Sequence, residues 1–337
     1  MSPSTSRPTA RTAAPSAATA RAQALVARQR PHARELGSRL AAWLADPERF
    51  ERELRRGFER LADPTYAAAQ ERIAPGAGEV IGVRWPLIEE AARALRRPLR
   101  EASPAVAIYL ADRLSRAEPQ EVRLFAHVPL ERSLPDDPER TWQLMRRLGH
   151  RAEDWISIDS LAHLVAQGIL REPYRWSELE QLVYSPRRME RRLVGSTIAT
   201  LPFEVRRGER QARLAASPAL ELVASLIGDD EPDVRKSLAW ALRSWREVDP
   251  EGTATLLREE AARAVADDDG NRAWVVRDAL TGARADPTLA AELRPRLAAV
   301  RGRVTRGRNT SRAHQAAAAF LAAGLPAAPE LAEAPLA

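Results

Sequence analysis

The chain contains no cysteine. That excludes a disulfide framework, thiolate-held zinc or iron–sulfur clusters, and a cysteine nucleophile. Histidine is scarce, with five residues and neither a His-Glu-x-x-His pattern nor a close pair, so no metal site is expected. Lysine is scarcer: Lys236 stands alone, and any Schiff-base mechanism would have to use it. No stretch approaches the ~20 apolar residues of a bilayer crossing, and no signal-peptide core is present. Alternating strand-like runs are absent and β-branched residues are sparse. The expectation is a soluble, cytoplasmic, all-α protein without cofactor, metal or membrane attachment.

Charge is unevenly placed. Lys and Arg number 52 against 46 acids, a net +6, and residues 1–34 hold six arginines and no acid, so the rest is balanced. A basic isoelectric point that comes from a tail says little about global affinity for nucleic acid. A second acid-free stretch runs from Arg294 to Arg312 and includes Arg296, Arg301, Arg303, Arg306 and Arg308. Arginine-rich coding bias, or an ordinary solvated surface, would give the same clusters.

With 337 residues, 45% of them apolar, there is material for a large core. Residues 1–32, rich in Ala, Ser, Thr, Pro and Arg, read as a disordered basic arm, and 326–337 as a disordered tail. Between them, 33–325, apolar spacing predicts helices over 33–46, 48–62, 65–73, 79–97, 104–116, 119–128, 138–148, 153–167, 177–183, 187–200, 218–227, 231–246, 251–266, 271–284, 288–301 and 310–323. Several open alike: a Pro- or Asp-bearing turn, then Val or Met, basic residues and an apolar stripe, as at Pro119, Pro186 and Asp230. That pattern suits an α-solenoid of HEAT-like repeats, whose stacked pairs leave a long concave face. Asp230 or Asp233 is expected to cap helix 231–246, and Gly228 to end the helix before it.

Three places could carry chemistry. In Glu153-Asp154-Trp155-Ile156-Ser157-Ile158-Asp159-Ser160, Trp155 and Asp159 lie four residues apart and share a helix face. An indole that excludes water beside a carboxylate that supplies countercharge suits a centre where positive charge develops. A core tryptophan next to a surface aspartate gives the same pattern. Pro186-Arg187-Arg188-Met189-Glu190-Arg191-Arg192 sets four arginines at a helix start, where free amides already favour phosphate. Lys236, Trp240 and Arg243 share a face of the next apolar helix, an arrangement for sugar stacking and phosphate clamping, unless Trp240 is simply a buried repeat aromatic.

Taken in order, these features resemble the AlkD-like DNA alkylation repair glycosylases, which are built from HEAT-like repeats. The resemblance runs over about 80–285 and rests on Ile81-Gly82-Val83-Arg84-Trp85-Pro86, Trp155 with Asp159, Glu190-Arg191-Arg192, Ala239-Trp240-Ala241-Leu242-Arg243, and Asn271-Arg272 through Arg277-Asp278-Ala279-Leu280. It implies a concave DNA-binding face and a monofunctional enzyme that excises cationic N3- and N7-alkylated purines from duplex DNA, acting as a monomer. Asp159 would be the catalytic carboxylate. Trp155 and Trp240 would pack on the lesion's sugar and backbone. Arg191 or Arg192, with Arg243, Lys236 and Arg188, would bind phosphate. The chain departs from the family pattern at Met189, where a tryptophan is usual, and at Ile156, where an acid is common. Phe58, Tyr66 and Trp85 are candidates for further aromatic contacts. The alternatives are a non-catalytic relative that binds DNA structure and a HEAT-type protein-interaction scaffold.

Overall fold

Six helices start on one two-residue device. An Asp or Ser side chain accepts from a backbone N–H two or three residues on, and the next residue is Pro, which has no N–H to leave unpaired in the first turn. The steps are Asp46-Pro47, Asp63-Pro64, Ser103-Pro104, Asp137-Pro138, Asp249-Pro250 and Asp286-Pro287. Ser16, Asp154, Asp269 and Ser311 cap four more starts without proline.

The computed structural model describes residues 16–282 and 285–323. Its α-helices are α1 Ala17–Leu40, α2 Pro47–Leu61, α3 Pro64–Ile73, α4 Trp85–Glu101, α5 Pro104–Leu114, α6 Gln120–Phe125, α7 His127–Ser133, α8 Pro138–Arg151, α9 Trp155–Arg171, α10 Trp176–Gln181, α11 Arg188–Glu204, α12 Arg210–Leu214, α13 Ala219–Leu226, α14 Pro232–Trp245, α15 Pro250–Ala266, α16 Gly270–Ala279, α17 Pro287–Leu297 and α18 Arg312–Ala322. No strand occurs among the described residues, and none of their helices is long and apolar enough to cross a membrane.

The helices stack in chain order, as in a solenoid. One row runs α4, α7, α9, α11, α14, α16, each packed on the next, with α1 against α4 and a second layer of α2, α5 and α8 at one end and α13, α15 and α17 at the other. Two apolar clusters fill the stack. The first is built around Phe50, Phe58, Leu87 and Phe125, the second around Trp142, Ile158, Leu193, Leu238 and Trp245. They meet in α5, where Leu110 and Leu114 join the first and Ala111 the second. Two joints depend on glycine: a Cβ on Gly195 of α11 would come within 2.3 Å of Ser237 Oγ of α14, and one on Gly37 of α1 within 2.1 Å of the Ala91 carbonyl oxygen of α4.

Four expectations are corrected. The proposed arm contains most of an ordered helix: α1 begins at Ala17, capped by Ser16, and buries Ala33, Leu36 and Leu40 while Arg34 Nε donates to buried Glu90 at 2.9 Å. Alanine and arginine are strong helix formers, and the apolar positions at 25, 26, 33, 36 and 40 supply a face to bury. Residues 1–15 and the tail from 324 lie outside the described residues. The helix expected at 79–97 starts at Trp85, because the amides of Ile81, Gly82 and Val83 donate to the Glu121 carboxylate. The one expected at 119–128 divides after Phe125, since Pro129 has no N–H for the Phe125 carbonyl and its ring crowds that carbonyl. Neither Asp230 nor Asp233 caps α14: its N-cap position is Glu231, with no side-chain cap hydrogen bond, and Asp229 Oδ1 accepts from Glu231 N at 2.9 Å in the turn before it. Gly228, at φ +104°, does terminate α13.

Candidate active site

The start of α9 is held by Asp154, which accepts from Ser157 N at 2.8 Å and Ser157 Oγ at 2.7 Å. This cap sets the rotation of the helix. Ile158, Leu161 and Ala162 enter the core, and Trp155 and Asp159 are left half-buried. Asp159 meets α11 there. Arg192 Nε donates to Oδ1 at 3.0 Å and its Nη2 to Oδ2 at 2.7 Å, while Ser196 Oγ donates to Oδ1 at 2.6 Å. The third arm of Arg192, Nη1, donates to the Asp233 carbonyl of α14 at 2.7 Å. Its guanidinium carbon lies 5.8 Å from the Trp155 ring centre. Trp155, Asp159 and Arg192 therefore form one cluster across α9 and α11, fastened to α14. The Asp159 side chain keeps 20% exposure against 6% for Arg192, so the carboxylate residue is the more exposed partner.

Ser196 was not singled out from the sequence, although it stands four residues after Arg192 and so shares its face. It is the second donor that fixes Asp159.

The basic residues divide into held and free. Arg191, expected to reach phosphate, is committed internally: Nε donates to buried Asp229 Oδ2 at 2.7 Å and Nη1 to the carbonyls of Ser185 and Pro186. Arg192, the other member of that expected pair, is buried on Asp159. Four arginines at a helix start oppose the helix dipole, and acids in the turn before α14 and on α9 supply the countercharge. Arg188 is exposed, 3.5 Å from Asp233 Oδ2, and donates to the Glu153 carbonyl. Lys236 is exposed and makes no ion pair among the described residues, and Arg243 pairs with Asp278 of α16. Asp233, Lys236, Trp240 and Arg243 form the unburied stripe of α14, with Trp240 half-buried rather than lost in the core.

Of the remaining aromatic candidates, Phe58 is fully buried, edge-on to Phe125 at 5.8 Å, and so is unavailable to a ligand. Tyr66 lies under Arg84 at 4.7 Å, and Trp85 is exposed, its Nε1 donating to Glu89 at 2.9 Å. Met189 is core and Ile156 half-buried.

On the other side of α9 a cavity of about 290 Å³ is lined by Arg123, His127, Asp154, Ser157 and Leu161 among others. Burial, with a smaller contribution from the charge of His163, pushes the His127 imidazole down to about 4. Among the described residues no group of three or more His, Asp or Glu side chains could hold a metal ion.

Set beside known families, residues 54–281, about two thirds of the chain, match the family model described as DNA alkylation repair enzyme. The chain belongs to that family, and a role in the repair of alkylated DNA follows. The match begins upstream of the resemblance read from the sequence and ends with α16. A search of individually curated proteins found no match.

Proposed function

For a chain of the DNA alkylation repair enzyme family, we propose that this protein is a monofunctional glycosylase that removes cationic N3- and N7-alkylated purines from duplex DNA. The observation that carries the reading is the partly exposed Asp159 side chain, its carboxylate set by Arg192 and Ser196 beside the Trp155 indole. Alkylation gives the purine a positive charge, so its bond to C1′ is already weak. When that bond breaks, its electron pair leaves with the base and neutralises it, and the sugar takes up the positive charge. Asp159 stabilises that charge and accepts the proton of the water that adds to C1′. A leaving group that departs neutral needs no protonation, so no histidine acid is required.

Arg192 and Ser196 are positioning residues in this scheme, because they act through Asp159. Trp155 and Trp240 exclude water and pack on the sugar and backbone. Lys236, Arg188 and Arg243 bind phosphate without reading sequence. One chain supplies all of these groups, and the reading takes the protein to act as a monomer on duplex DNA. A protein-interaction scaffold would have both tryptophans buried, and neither is.

The test is incubation of the full chain with methylated duplex DNA and mass spectrometry of the freed bases. Release of 7-methylguanine or 3-methyladenine by the wild type and its loss in Asp159→Asn support the reading. Binding without release overturns it in favour of a non-catalytic relative, and an Asp159→Asn chain with full activity removes Asp159 from the chemistry.

A further inference from the structure

Beyond α16, and outside the segment matched to the family, residues 298–311 form a strap that returns across the starts of α14 and α16. The strap is non-helical but firmly built. Asp268, at φ +47°, accepts from Arg301 N at 2.7 Å and Gly302 N at 2.9 Å. Asn271 donates to the carbonyls of Thr305 and Arg308 and accepts from Thr305 N at 3.1 Å. Thr310 N donates to the Gly228 carbonyl at 3.0 Å, and Arg272 Nη2 to the Thr310 carbonyl at 3.1 Å. A Cβ on Gly302 would come within 1.9 Å of the Asp268 carbonyl, so the backbone lies flat on the turn below it. Asn271 and Arg272, part of the resemblance read in the sequence, thus act as fasteners for a segment beyond the family match.

What this strap displays is positive charge. Its arginines are Arg301, Arg303, Arg306 and Arg308, and it contains no acid. Two nearby acids hydrogen-bond the backbone of the strap and not its guanidiniums: Asp268 accepts from the Arg301 and Gly302 amides, and Asp230 Oδ2 from Gly307 N at 2.5 Å. Arg303 is exposed, and its side chain has no hydrogen bond or ion pair among the described residues. Arg308 donates to the carbonyls of Asp267 and Asp268, which are neutral acceptors, and Arg306 is 71% exposed, 3.7 Å from Glu231.

The position is as telling as the charge. The turn of Asp229, Asp230 and Glu231, with Asp233 at the start of α14, touches the strap through Asp230 and Glu231, and touches Arg191 and Arg192 through Asp229 and Asp233. One short turn therefore separates the strap from the Asp159 cluster.

We propose that residues 301–308 are a second phosphate-binding element that grips duplex DNA to the side of the Asp159 site. This rests on the reading of duplex DNA as the substrate. Rigid backbone anchoring keeps the guanidiniums presented, so little ordering is required when DNA arrives.

The test is the salt dependence of binding to unmodified duplex DNA, measured on the full chain. Each lost phosphate contact removes about 0.9 from the slope of log K against log salt. Arg301→Ala with Arg303→Ala is expected to lower the slope by about 1.8, Arg301→Lys with Arg303→Lys to keep it, and Arg97→Ala, on an exposed helix pair away from the site, to leave it unchanged. If the double alanine chain melts early, Arg303→Ala alone, whose side chain makes no hydrogen bond or ion pair among the described residues, is expected to remove about 0.9. A slope equal to that of the wild type overturns the strap even if bases are released. A reduced slope with no base release keeps the strap and defeats only the glycosylase reading.

Discussion

Arg192 grips Asp159 with two guanidinium nitrogens, at 3.0 and 2.7 Å, from the neighbouring helix. The arginine is the buried partner and the carboxylate the wetter one. Removing the arginine leaves Asp159 with Ser196 as its donor and α11 without its tie to the Asp233 carbonyl. Arg192→Ala is expected to cost about 3 kcal/mol, read as a lower urea midpoint, and to slow base release even with DNA saturating. Combining it with Asp159→Asn is expected to recover about 1 kcal/mol or more. Strict additivity in that cycle would show that the pair is not coupled.

Arg191 and Lys236, both expected from the sequence to bind phosphate, are expected to behave differently. Arg191 is bound to the buried Asp229 carboxylate, so Arg191→Ala strands that charge and is expected to cost about 3 kcal/mol with the salt slope of DNA binding unchanged. Lys236 makes no ion pair among the described residues. Lys236→Ala is expected to leave the melting temperature alone and to reduce the slope by about 0.9. Titrations at several salt concentrations, beside thermal melts, separate the two.

The reason that difference is not legible in the sequence is physical. Helical periodicity reports neighbours three and four residues apart, and it placed Trp155 with Asp159 and Lys236 with Trp240 on shared faces. The acidic partners of Arg191 and Arg192 lie on other segments, Asp229 in the turn before α14, Asp159 on α9 and Asp233 on α14, and no local spacing encodes them. Helix starts were legible because Asp-Pro and Ser-Pro steps act within three residues. The arm was misread because alanine and arginine serve a disordered tail and a helix equally well until Leu36 and Leu40 find α4.

Glu121 illustrates a second kind of hidden role. Its carboxylate accepts from Ile81 N at 3.0 Å, Gly82 N at 2.6 Å and Val83 N at 3.1 Å, so this stretch of the family resemblance is a structural clasp. Glu121→Ala leaves these amides without that acceptor, two of the three bonds being buried, and is expected to cost about 3 kcal/mol, with Glu121→Gln less harmful. A pair of urea titrations checks this. An alanine chain as stable as wild type would show that water replaces the carboxylate at no cost.

His127 sets an acid limit on the fold. Its imidazole is neutral in the folded chain down to about 4, whereas the unfolded chain binds a proton from the ordinary value of 6.5. Above 6.5 the two states bind equally and His127 adds no pH dependence. Between 6.5 and about 4 the unfolded state holds more protons, so stability falls as the pH falls, and below 4 the loss is complete. The full shift corresponds to at most about 3 kcal/mol. His127→Gln keeps a polar side chain on the cavity wall but cannot titrate. The difference in unfolding free energy between the two proteins is expected to be constant above pH 6.5 and to change in favour of the variant as the pH drops towards 4. Paired urea titrations across that range measure it directly. A difference that stays flat would mean that the imidazole protonates inside the fold as readily as outside it, and that burial beside α9 does not set its charge.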